Sequence, residues 1–189
     1  MPDHGAVSGD AGKSRVFFAL WPEPVLSTRL HAESMRLHRL VGGRPTRPET
    51  LHLTLVFVGE VANSRLEDLG AAAGAVKCPP FEMLFDRETC WRHNHIAHLG
   101  ASRPPAALFN LVGQLSANLK AAEIAFDVRP FSPHITLVRK ADCARFAPEG
   151  KENPAREPVR WSARDFVLVK SSLHAKGACY ERLGRWPLL

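Results

Sequence analysis

Two copies of one tetrapeptide constrain this chain more than any other feature. His52-Leu53-Thr54-Leu55 and His134-Ile135-Thr136-Leu137 share the pattern His-apolar-Thr-apolar, and a Pro-containing loop precedes each. With nine His and six Thr in 189 residues, chance supplies roughly 0.3 His-x-Thr pairs in the whole chain, so two with matching apolar partners are not accidental. Side chains alternate across a strand. His52 and Thr54 therefore project from one face while Leu53 and Leu55 enter a core, and His134 and Thr136 do the same. Two such strands facing each other would set two imidazoles and two hydroxyls around one small ligand. With pKa values near 6.5, one imidazole can act as general base and the other as general acid at neutral pH. The hydroxyls can donate to non-bridging phosphate oxygens, and no metal is required. Spacing alone does not assign which His has which role.

The rest of the chain is that of a globular domain. Its 189 residues, 45% apolar and 23% charged, are enough for one domain with a sizeable core. The apolar stretch Leu53 to Gly59 is broken by Thr54 and falls far short of the ~20 residues of a membrane span. Met1 to Ser14 has no apolar signal segment and reads as a disordered leader, leaving 15–189 as the domain. Cys78, Cys90, Cys143 and Cys179 show no C-x-x-C spacing; with no secretory signal the expectation is reduced thiols in the cytoplasm. A net charge of +6 favours an anionic partner.

Local patterns predict strands at Arg15–Trp21, Leu51–Val58, Phe81–Phe85, around Trp91, at His95–Leu99, Ile124–Val128, Ile135–Val138, Trp161–Ser171 and Ala178–Pro187. They predict helices at Val25–Leu40, Arg65–Val76 (capped by Asn63 or Ser64) and Ala106–Ala122. Ala141–Pro158 reads as a surface loop. Several strand pairs have no helix between them, which argues for α+β with antiparallel pairing.

With its twin motifs the chain resembles the 2H phosphoesterases. Arg15-Val-Phe-Phe-Ala-Leu20, Leu51-His-Leu-Thr-Leu-Val-Phe-Val-Gly-Glu60, Arg129-Pro-Phe-Ser-Pro-His-Ile-Thr-Leu-Val-Arg139, Lys170-Ser-Ser-Leu173 and Tyr180 to Pro187 are similar to the RNA 2′,3′-cyclic phosphodiesterase (LigT-like, 2′-5′ RNA ligase) group. The resemblance implies a bilobal α+β fold with pseudo-two-fold symmetry, two antiparallel sheets lining a central cleft and helices outside. It implies hydrolysis of RNA 2′,3′-cyclic phosphate ends to 2′-phosphates, with reversible 2′-5′ ligation, by a monomer needing no cofactor. It makes His52 the proton donor, His134 the proton acceptor, and Thr54 and Thr136 phosphate ligands. Arg139 resembles a family arginine that contacts phosphate, the competing role being a rim salt bridge. Phe131 is a candidate for stacking on a terminal base or for the core. The family usually carries apolar or aromatic residues near the position of His98, so His98 is a departure.

Other clusters carry less. Cys90, His93, His95 and His98 match no common zinc spacing, and His95 and His98 would face opposite sides of a strand. Arg44 and Arg47 precede the first motif and read as solvated loop charges. His174 has no partner in sequence. No G-x-x-x-x-G-K-S/T loop exists, which argues against ATP-dependent ligation. Two alternatives stand beside RNA ends as substrate: a small cyclic nucleotide or ADP-ribose cyclic phosphate, and a non-catalytic RNA-end-binding protein.

Overall fold

The computed structural model describes residues 12–146, 153–174 and 177–189. Strands β1 (Lys13–Leu20), β2 (Arg44–Pro45), β3 (Leu53–Ala62), β4 (Phe81–Trp91), β5 (Ile96–Gly100), β6 (His134–Arg139), β7 (Asn153–Ala163), β8 (Asp165–His174) and β9 (Gly177–Pro187) alternate irregularly with helices α1 (Pro24–Val41), α2 (Leu66–Gly74) and α3 (Ala106–Ala121). They form two sheets, β3-β1-β8-β9 and β2-β6-β5-β4-β7, and every pairing is antiparallel. The orders match, motif strand first: β3-β1-β8-β9 against β6-β5-β4-β7, with the two-residue β2 added outside β6. The α+β class and the pseudo-two-fold halves expected from the sequence are both present.

Each motif strand sends alternate residues inward, as pleating requires. Leu53, Leu55, Ile135 and Leu137 are buried, while His52, Thr54, His134 and Thr136 are half-buried on the other face. β3 and β6 lie side by side although they belong to different sheets. The amide of Asp127 adds a link, donating to the Phe57 carbonyl at 2.8 Å.

Helix α1 follows a strand of the four-stranded sheet but packs on β6 and β2 of the other one, tying the halves together. Its buried stripe is Ser27, Leu30, Ser34, Leu37 and Val41; of the apolar residues Leu26, Leu30, Met35, Leu37 and Leu40 that gave the helical spacing, only Leu30 and Leu37 lie in it. Leu40 is in fact exposed. Ser34 Oγ donates to the Leu137 carbonyl at 2.6 Å and accepts from the Thr46 amide at 3.0 Å. Ser27 Oγ donates to the Pro48 carbonyl at 2.7 Å. A buried hydroxyl with its bonds made is tolerated in a core, and here the bonds hold one motif strand and the loop before the other. Gly43, at φ +79°, approaches the backbone of Arg139 and Lys140 so closely that a Cβ would lie 2.5 Å from the Arg139 carbonyl oxygen. No other residue type meets both conditions.

Several local expectations need correction. Residues 124–128 are not a strand: the Asp127 amide makes one ladder-like bond to β3, while the Ile124 amide closes onto the Leu119 carbonyl at the end of α3. Trp161–Ser171 is two strands, β7 and β8, divided at Arg164. The loop expected to 158 is already β7 from Asn153, preceded by a single 3-10 turn at Cys143–Arg145; residues 147–152 lie outside the described set. No side-chain cap from Asn63 or Ser64 begins α2, because a 3-10 turn at Asn63–Arg65 leads into it. Of the expected leader, residues 1–11 lie outside the described set, and Lys13 and Ser14 already belong to β1, with Ser14 buried and its hydroxyl on Asn63 Oδ1 at 2.7 Å. The side chain of His174 also lies outside the described set.

The cysteines depart most. Cys90, next to last in β4, and Cys143 form a disulfide, their Cα atoms 5.6 Å apart. Cys78 and Cys179 remain thiols, buried and exposed respectively. Sequence gives no register between β4 and a turn 53 residues later, so proximity of this pair could not be read from it.

Candidate active site

Between the lobes lies a cleft of about 760 Å³ lined by both tetrapeptides, with His52, Thr54, His134, Thr136, Arg139 and Phe131 all contributing. All six candidate residues therefore meet in one place. His52 sits one residue before β3 and His134 opens β6.

The imidazoles are held in the same way. His52 Nδ1–H donates to the Thr50 carbonyl at 2.7 Å, and His134 Nδ1–H donates to the Ser132 carbonyl at 2.8 Å. A carbonyl can only accept, so each ring carries its proton on Nδ1 when neutral. Both bonds reach two residues back along the chain. The Nε2 atoms are left for chemistry, and that of His52 accepts from the Thr54 hydroxyl at 3.1 Å.

Aromatic walls surround both rings. His52 stacks on Trp21 (centroids 5.5 Å, planes 5° apart), with Phe17 at 4.9 Å and Tyr180 edge-on at 5.4 Å. His134 meets Trp91 at 4.6 Å and His98 at 5.4 Å. Removing water from an imidazole disfavours its cation. Burial accordingly pulls His52 from 6.5 down to about 4, with smaller contributions from the charges of Arg139 and His134 that its bond to Thr50 only partly offsets. Burial also lowers His134, opposed by its bond to Ser132 and reinforced by Arg139. Both shifts favour the neutral form of the ring.

Arg139 is exposed at the end of β6 and makes no ion pair with a carboxylate among the described residues. Its charge reaches both imidazoles, which favours the cleft over the rim salt bridge. Phe131 is half-buried, packed on the core and edge-on to Phe109 at 5.8 Å, and also lines the cleft. Arg47 turns aside to the Ala178 carbonyl and Glu49, and Arg44 pairs with Arg139 in the β2–β6 ladder.

The Cys90, His93, His95, His98 group is dispersed. Cys90 is in the disulfide, His93 is exposed at the cleft, His95 reaches the Ala141 carbonyl and His98 is buried. No set of three or more such side chains converges among the described residues.

Sequence reasoning missed the aromatic cages. Phe17, Trp21 and Trp91 read only as strand formers, and Tyr180, the one tyrosine, lies 128 residues from the ring it covers. Pairing of β1 with β3 and β8, and of β8 with β9, assembles the rings around His52, while pairing of β4 with β5 and of β5 with β6 brings Trp91 to His134.

Comparison with known proteins agrees with this geometry. The model of a family described as LigT like Phosphoesterase matches residues 20–97 and 99–180, one tetrapeptide in each stretch. An RNA 2′,3′-cyclic phosphodiesterase of Escherichia coli (strain K12) is 32% identical, covering 92% of this chain and 96% of that protein. A protein of the same description from Thermus thermophilus is 29% identical over 92% of this chain and 90% of its own length. The crystal structure of E. coli LigT complexed with 3′-AMP superposes with a TM-score of 0.81 at 28% identity, covering 94% of this chain and 99% of that one.

Proposed function

This chain belongs to the LigT-like phosphoesterase family, and from that premise we propose that it hydrolyses RNA 2′,3′-cyclic phosphate ends to 2′-phosphates by two-imidazole acid–base catalysis without a metal. The observation that carries the reading is the pair of matched Nδ1 braces, which leave the Nε2 of each imidazole unclaimed by backbone in one cleft, that of His52 meeting only the Thr54 hydroxyl.

His134 Nε2 takes a proton from water as its oxygen attacks phosphorus. The bond from phosphorus to the 3′ oxygen breaks in line, and His52 Nε2 gives its proton to that oxygen. The products are a 3′-hydroxyl and a 2′-phosphate. Thr54 and Thr136 hydroxyls donate to the non-bridging oxygens, and Arg139 offsets the charge gathering there. A phosphodiester entering between the rings brings the negative charge that lets His52 gain its proton. A 5′-hydroxyl in place of water would give a 2′–5′ linkage by the same steps.

One observation favours the reverse assignment: the deeper cage around His52 holds it the more firmly neutral, which suits a base. Bridging sulfur at the 3′ position separates the two readings, because a thiolate leaves without protonation. It rescues whichever alanine variant lacks the acid and not the one lacking the base.

We place the enzyme in the cytoplasm as a monomer acting on RNA ends; among the described residues no helix is long and apolar enough to cross a membrane. Alkylation of thiols in a cell extract tests the location, since cytosolic reductants keep most cysteine pairs open. The reaction itself is tested with a short RNA ending in a 2′,3′-cyclic phosphate, in excess EDTA, with 2′- and 3′-phosphate products resolved. Clean 2′-phosphate is expected. A 3′-phosphate, or a requirement for added metal, overturns the mechanism; no turnover by folded protein moves the reading to a small cyclic nucleotide.

A further inference from the structure

His98 is 5% exposed, on β5 directly opposite Thr136 of β6. Paired residues in a ladder point to the same face, so its ring stands on the site's side of the sheet. There it packs against both Trp91, at 4.1 Å, and His134, at 5.4 Å, two rings that themselves meet at 4.6 Å. Neither of its ring nitrogens makes a well-formed hydrogen bond among the described residues, the Leu99 backbone offering only a weak polar contact. A buried polar group without a partner costs stability, so the fold gains nothing from the nitrogens and uses only the plane of the ring. In the other lobe the residue opposite Thr54 is Ala19. His98 is therefore no part of the machinery common to the two half-sites.

We propose that His98 is a positioning residue for His134, its ring clamping Trp91 against the His134 imidazole and keeping water from the back of that ring. The clamp has two consequences. It limits the directions in which His134 Nε2 can point, and it supplies part of the burial that keeps His134 below the ordinary histidine value. The titratable group that acts on His98 is His134, and burial holds His98 itself neutral, near 4, so its own charge plays no part at pH 7.

The inference uses the proposed hydrolysis for one readout and is independent of it for another. His98→Ala and His98→Phe are compared with wild type by kcat and KM on the cyclic-phosphate RNA, by NMR titration of the His134 Cε1 proton, and by thermal melting. In His98→Ala, kcat falls on the order of tenfold, as expected for a loosened catalytic group, with little change in KM. The His134 titration then moves up toward 6.5. His98→Phe, equal in shape and free of unpartnered nitrogens, restores both and melts above wild type. Should His98→Ala fail to fold, His98→Val takes its place with the same expectations. Wild-type kcat and an unmoved His134 titration in the alanine or valine variant would overturn the proposal. So would a phenylalanine variant as impaired as alanine, which would assign the role to the nitrogens. A wild-type chain inactive on cyclic phosphate removes the proposed reaction and leaves the His134 titration to decide the clamp.

Discussion

At each of the two imidazoles one nitrogen is bound to a carbonyl two residues back and the other faces the cleft. Replacing either ring with alanine removes a proton carrier while leaving the strand core of Leu53, Leu55, Ile135 and Leu137 in place. His52→Ala and His134→Ala should each lower kcat by at least ~10²-fold, with melting temperatures close to wild type. The pH dependence follows from burial. The proposed reaction needs one ring neutral and one protonated, and in the free enzyme burial sets both below the ordinary 6.5, His52 at about 4. The profile of kcat/KM, which reports the free enzyme, should therefore peak between about pH 4 and 6.5. That of kcat should peak at higher pH, because the bound phosphodiester raises both values. Coincident maxima would count against the substrate anion as the source of the acid's proton. Stability carries the same sign. His98 titrates near 4 in the fold and near 6.5 when unfolded, so the unfolded chain binds more protons in that window and stability falls as pH drops through it. The loss attributable to this ring is roughly 3 kcal/mol, and urea titrations of wild type and His98→Phe at pH 7 and pH 4 measure it.

At the scale of elements, helix α1 and the disulfide do what β-pairing alone cannot. Ser34 bonds to the Leu137 carbonyl and the Thr46 amide, so Ser34→Ala leaves two buried groups without that partner. A cost of about 1–3 kcal/mol is expected, read as a lower urea midpoint with the slope unchanged. The Cys90–Cys143 bridge closes a span of 53 residues, which in the chain-entropy account is worth roughly 4 kcal/mol. Reduction should lower the melting temperature, and Cys90→Ser should reproduce the shift without reductant. Helices α1 and α3 were legible because their breakers, Pro24, Gly42 and Pro105, stand where propensity acts locally. The buried serines of α1, Ser27 and Ser34, were not, since a serine earns a core place only through a partner distant in sequence. The strand expected at 124–128 failed for the complementary reason: β-type composition without a free neighbouring edge to pair with does not make a strand.

For the whole molecule, the net charge of +6 and a cleft open between lobes favour a polyanion over a single nucleotide. Raising salt should reduce kcat/KM for a cyclic-phosphate oligonucleotide more steeply than for a cyclic mononucleotide, since more phosphates release counterions. Equal slopes would favour the small substrate. The repeated tetrapeptide, by itself, determined which residues each motif strand presents together, because strand alternation is a local rule that sets His and Thr on one face wherever the segment lies. Which rings cage those imidazoles, which cysteines meet and which serines brace the motif strands were decided only by tertiary structure. Those contacts join residues tens to more than a hundred positions apart, and sheet register and helix docking, which no local pattern encodes, are what bring them within reach.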